Sequence, residues 1–207
     1  MCTLTMFSAF IDNWLTVDEN NDVANDSIST ASELIPQATS EKEVFYIRAG
    51  DPGTAVARAN LLADMQKRGD LLVNTLIAEY PEKPYTTLLK KRWGVEKLNE
   101  ADPASNLTAY TTDKSTISLC LRKNKGVFGN NLIDGNTLSY VLVHEMAHLG
   151  VNVQDHPPEF WSTFKEMANI ATEAGVFTYV NYSNKPITYC SMQISSNVID
   201  STTTPPV

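Results

Sequence analysis

The stretch from Thr137 to Leu149 constrains this chain more than any other. It is long enough for a helix, and residues 144–148 read His-Glu-Met-Ala-His. On a helix, positions i and i+4 lie on one face, so His144 and His148 point the same way. Leu142 and Val143 on one side, with Ala147 and Leu149 on the other, make the rest of that helix apolar. The two histidines and Glu145 are therefore presented from a buried element. Asp134 or Asn136 supplies the N-cap.

Two imidazoles one turn apart can both aim nitrogen lone pairs at one Zn²⁺, about 2.0–2.1 Å away. Glu145, beside the first, is placed to hydrogen-bond a water rather than the metal. Zinc lowers the pKa of such a water toward 7, and a glutamate can take its proton and pass it to a leaving amine. A catalytic zinc needs a third protein ligand and an open fourth position. His156 is the candidate, eight residues after His148, past Gly150 and immediately before Pro157. All three histidines of the chain fall within residues 144–156. Asp155 is an alternative third ligand, as are Glu159 and Glu166 on the following helix. Such a pattern also occurs by chance. The apolar helix, the third ligand candidate and the aromatic-rich helix that follows weigh against chance here.

The rest of the chain divides by composition. Residues 1–43 carry eight acidic groups and one lysine, out of a whole-chain net charge of −8. They read as an acidic, disordered leader. Residues 44–194 read as one folded domain and 195–207 as a flexible tail. Without the leader the chain is near neutral, which argues against a large basic face for nucleic acid. Lys90, Lys91 and Arg92 form the densest basic spot and read as a solvated helix face. Met1 to Phe10 is apolar without a basic n-region, and no run reaches the roughly 20 apolar residues of a membrane span. A soluble, intracellular protein is expected. Cys2, Cys120 and Cys190 make no disulfide framework, so free buried thiols are the default expectation; a Cys120–Cys190 bridge would need an oxidising compartment.

Val44 to Ile47 fits a strand. A long helix follows over roughly 54–79, with Gly69 as an interior weak point costing about 1 kcal/mol relative to Ala. Pro84 opens a shorter helix to Trp93. Thr108–Thr111 and Ile117–Leu121 read as strands joined by a turn at Asp113-Lys114-Ser115. A loop with Gly126, Gly129, Asn130 and Asn131 precedes the histidine helix. Pro157 and Pro158 open a last helix to Ala174, ended by Gly175. Tyr179, Tyr182 and Tyr189 follow it, and any of them could fold back as an oxyanion donor; none is singled out.

The pair of segments His144-Glu145-Met146-Ala147-His148 and His156-Pro157-Pro158-Glu159-Phe160-Trp161 resembles the signature of WLM and SprT-like minimal zinc peptidases. It is similar also to zinc-metallopeptidase-motif proteins of large DNA viruses and algae. With those it shares Tyr110-Thr111, Cys120-Leu121-Arg122, Asn136-Thr137-Leu138, Ala174-Gly175-Val176-Phe177, Lys185-Pro186 and Tyr189-Cys190. Ser191 stands where they have glycine. The resemblance covers about residues 44–199. It implies a compact α+β zincin-like domain with a small sheet, an active-site helix and a bracing helix behind it. It also implies zinc on His144, His148 and His156, Glu145 as general acid/base, and a protein or peptide as substrate. Two other readings use the same residues: a non-catalytic zinc-stabilised binding or virion-associated protein, and a zinc hydrolase of another amide.

Overall fold

The computed structural model describes residues 33–94, 98–102, 108–123 and 131–200. Residues 1–32, 95–97, 103–107, 124–130 and 201–207 lie outside the described residues, and with them most of the expected acidic leader and of the glycine-containing loop expected before the histidine helix. The fold is α+β: among the described residues, a small mixed sheet with four α-helices. In chain order it runs β1 (Leu34–Ala38), β2 (Val44–Arg48), α1 (Ala55–Glu79), α2 (Pro84–Arg92), β3 (Leu98–Glu100), β4 (Ala109–Thr112) and β5 (Thr116–Leu119). Helices α3 (Gly135–Gly150) and α4 (Pro158–Glu173) follow, then a hairpin of β6 (Ile187–Tyr189) and β7 (Met192–Ile194).

The five-stranded sheet has the order β1-β2-β3-β5-β4. Its centre is parallel and its two ends are antiparallel hairpins, β1 with β2 and β4 with β5. β4 is thus an edge strand. β1 lies inside the stretch that composition assigns to the acidic leader, so a strand stands about ten residues before Val44. Its five residues pair along their whole length with β2, from Leu34↔Arg48 to Ala38↔Val44. Order also persists past Ile194, where Val198 is buried in a short 3₁₀ turn.

Three-residue β3 occupies the middle of the sheet, and Glu100 shows what holds it there. Its buried carboxylate accepts from Arg58 on α1, from Arg122 Nε at 3.0 Å and from the Arg48 amide at 2.8 Å. A buried carboxylate must be paired in this way to be tolerated. One side chain thereby ties β2, α1 and the segment after β5 together.

Helix α3 is the hub. Every residue from Thr137 to Gly150 is buried, because α1, α2, α4 and the β4–β5 hairpin all pack on it. Asp134 caps it, accepting from the Thr137 amide at 2.9 Å. Gly150 closes it: a Cβ there would stand 3.0 Å from Tyr85 Cβ, so the glycine is what lets α2 approach. Helix α4 ends in a Schellman motif, with Gly175 at φ +77° and the Val176 amide on the Ala171 carbonyl at 2.8 Å.

Two expectations are corrected. Cys120 and Cys190 are not free thiols but a disulfide, with Cα atoms 6.3 Å apart. The bridge fastens the β6–β7 turn to the end of β5, a proximity that the separation of 70 residues conceals. The basic spot on α2 is only partly a solvated face. Lys90 and Lys91 are exposed, but Arg92 turns inward onto the end of α3. Among the described residues no helix is long and apolar enough to cross a membrane.

Candidate metal centre

Helix α3 presents His144 and His148 one turn apart, both buried. The chain then leaves the helix at Val151, crosses five residues without regular structure and delivers His156 just before the proline-led start of α4. The ligand-capable atoms of the three histidines all lie within 4.8 Å of one another. His156 Nε2 is 3.1 Å from His144 Nε2. Two nitrogens on one tetrahedral zinc stand about 3.3 Å apart, given bonds of about 2.0–2.1 Å. Two imidazole nitrogens at such a distance share either a proton or a cation.

Helix α4 walls the site with rings, as its sequence led one to expect. Phe160 stacks on His148, centroids 4.2 Å apart, and stands edge-on to His144 at 4.9 Å. Trp161 lies against His156 at 5.4 Å. This burial holds all three imidazoles in their neutral form. Desolvation, then repulsion from His148 and His156, pushes His144 well below its usual range. Desolvation, then His156, lowers His148 to about 3; desolvation is also the main cause that lowers His156 to about 4. Neutral imidazole is the form that binds a metal.

Glu145 is 1% exposed. Burial raises its pKa to about 8, against the opposing hydrogen bond from Thr111. Thr111 Oγ1 donates to Glu145 Oε2 at 2.9 Å. The other oxygen, Oε1, is buried and has no hydrogen-bond partner among the described residues. An acceptor left unmade in the interior costs about 1–3 kcal/mol and needs a reason. A three-nitrogen donor set kept neutral, beside a carboxylate with one oxygen in reserve, fits a zinc ion and a water.

The alternative third ligands do not join the cluster. Asp155 and Glu159 are exposed, and Glu166 Oε2 accepts from Lys83 Nζ at 2.9 Å and Tyr85 Oη at 3.0 Å. The three late tyrosines are engaged elsewhere too. Tyr179 donates to Asp200, Tyr182 packs on Tyr140, and Tyr189 Oη donates to the Thr108 carbonyl. Thr111 is the residue to which the sequence assigned no role. Its signals were its place in the shared Tyr110-Thr111 pair and strand parity, which puts it on the same face as buried Ala109.

The family model of the WLM domain matches residues 74–194, more than half of the chain. The chain belongs to the WLM family. This is a zinc-metallopeptidase-like family, which supports a metallopeptidase-like enzyme and suggests zinc at the histidine triad. The WLM region takes in α2 to β7 and so the whole candidate site. An uncharacterised protein of Acanthamoeba polyphaga mimivirus is 30% identical over 146 residues, covering 68% of this chain and 73% of the relative. An uncharacterised protein of Invertebrate iridescent virus 6 is 33% identical over 69 residues, 33% of this chain and 38% of that one. No solved structure matches the chain.

Proposed function

We propose that this WLM protein is a zinc-dependent endopeptidase in which His144, His148 and His156 hold the metal and Glu145 moves the proton. The observation that carries this reading is the state of Glu145: buried, anchored through Oε2 by Thr111, and unpartnered at Oε1. A site built only to hold a metal has no use for a buried, proton-avid carboxylate next to its first ligand. Zinc bound by the three imidazoles would supply the Lewis acid that acidifies water and polarises the scissile carbonyl. Glu145 accepts the proton of the attacking water on Oε1 and delivers it to the departing amine. Burial raises the carboxylate's proton affinity, which favours taking the proton, and a bound cation would oppose that, which favours giving it up. Phe160 and Trp161 keep bulk water from the triad and fix the ring planes. The word "peptide" is supported by β4, an edge strand whose Thr111 already touches Glu145. An extended chain can add to such an edge.

The test is hydrolysis of a denatured protein or peptide library by wild type and Glu145→Gln, with bound zinc measured in both. The expected result is zinc in both and cleavage by wild type alone. Zinc-loaded wild type that cleaves nothing across a broad library would favour a binding protein instead.

A further inference from the structure

The residues between the second and third histidines are held from two sides by cations. On one side, Arg92 at the end of α2 donates through Nη1 to the carbonyls of Leu149 at 2.8 Å and Val151 at 2.9 Å, and through Nη2 to Asn152 Oδ1 at 2.7 Å. It satisfies carbonyls that the end of α3 leaves open, where a positive charge is favoured. On the other side, Lys114 Nζ donates to the Val153 carbonyl. Lys114 sits in the β4–β5 turn, where it and Asp113 both adopt left-handed backbone, at φ +50° and +53°.

Past Val153, Asp155 is also left-handed at φ +57°, a conformation uncommon for non-glycine residues but one that Asp adopts more readily than most. Pro157 and Pro158 then fix the exit of the chain. Thus His156 hangs between a stiff proline pair and a carbonyl held by Lys114. The hairpin that carries Lys114 also carries Thr111, which holds Glu145.

We propose that the β4–β5 hairpin is a bracket that sets proton carrier and third ligand in register, with Lys114 a positioning residue for His156 and Arg92 its counterpart on the opposite side. This rests on the metal reading above. Lys114 is not a ligand in this assignment; it acts through the Val153 carbonyl. One ammonium therefore links the edge strand offered to substrate with the loop that brings the third nitrogen.

The experiment compares wild type, Lys114→Met, Lys114→Arg and His156→Ala, chosen because a turn lysine can be changed without removing core. Zinc affinity is read by chelator competition, and the ligand set by the visible spectrum of the Co²⁺-loaded protein. Loss of an outer partner of a ligand typically costs about 10–100-fold in metal affinity. Lys114→Met is expected to lose about tenfold and to shift its Co²⁺ spectrum toward that of His156→Ala, with Lys114→Arg restoring both in part. A Lys114→Met protein with wild-type affinity and spectrum would overturn the assignment while leaving the metal reading intact. Wild type that takes up neither metal would overturn the metal reading itself, and this assignment with it.

Discussion

Thr111 Oγ1 lies 2.9 Å from Glu145 Oε2 and donates its proton there, so a strand residue fixes one oxygen of a carboxylate whose other oxygen is kept unpaired. The contact crosses from the sheet edge to the central helix. It does two things at once: it orients Oε1, and it lowers the proton affinity that burial raises.

Thr111→Val keeps the shape and removes the donor. The kcat/KM for peptide hydrolysis should fall roughly tenfold or more, the usual scale for losing an outer hydrogen bond at such a site. The acid limb of its pH profile should move to higher pH, because the hydrogen bond that counters the effect of burial is gone. Thr111→Ser should retain most of the activity. A Val variant with the wild-type profile would show that the contact is incidental.

Glu145 makes the metal-free fold sensitive to alkali. Its folded pKa is about 8 against an ordinary 4.5. Between those values the folded chain holds a proton that the unfolded chain has released, so stability falls as pH rises. Glu145→Gln removes this dependence. Denaturant unfolding with chelator present should show the variant gaining on wild type from pH 4.5 to 8, by a few kcal/mol at about 1.4 kcal/mol per pKa unit. A pH-independent difference would contradict the burial of this carboxylate.

How much of this was legible in the chain depends on whether a signal was local. The helices were, since apolar period, Asp134, Pro84, Pro158 and Gly175 mark them within a turn. So was the histidine cluster, because i, i+4 spacing fixes two members and the proline pair fixes the third. β1 was hidden, since Leu34 and Ile35 sit in acidic, polar surroundings and become a strand only by pairing with β2. β3 was hidden because Leu98-Asn99-Glu100 is too short to show alternation; its place comes from a carboxylate shared by distant arginines. The Cys120–Cys190 bridge and the Thr111 contact are likewise products of tertiary proximity.

The histidines act in the opposite sense from Glu145. His148 and His156 are lowered to about 3 and 4 from an ordinary 6.5. As pH falls below 6.5 the unfolded imidazoles take up protons that the buried ones refuse, so the metal-free chain loses stability on the acid side. In the Glu145→Gln background, which isolates this effect, denaturant midpoints should be flat above about pH 7 and drop steadily toward pH 4. Replacing His148 by Gln in that background should shallow the drop. A midpoint that stays constant down to pH 4 would mean that the rings are solvated.

Gly69 is a weak point by helix propensity but not by packing. A Cβ there would fall 2.2 Å from Trp93 Cζ2, and the Trp93 indole is held by Nε1 donating to Asp70 Oδ1 at 2.7 Å. Gly69→Ala should therefore destabilise by about 1–3 kcal/mol, despite the gain of about 1 kcal/mol that propensity alone offers. Thermal or denaturant unfolding decides the sign, and a stabilised variant would refute the packing.

The central claim is that three histidines, and no carboxylate, hold one metal ion. Its most direct measurement is zinc per chain by elemental analysis after exhaustive dialysis, for wild type and His156→Ala side by side. The account predicts close to one zinc in wild type and a sharp loss in the variant, with Asp155, Glu159 and Glu166 unable to substitute. Equal occupancy in the two proteins, or none in wild type, would contradict it.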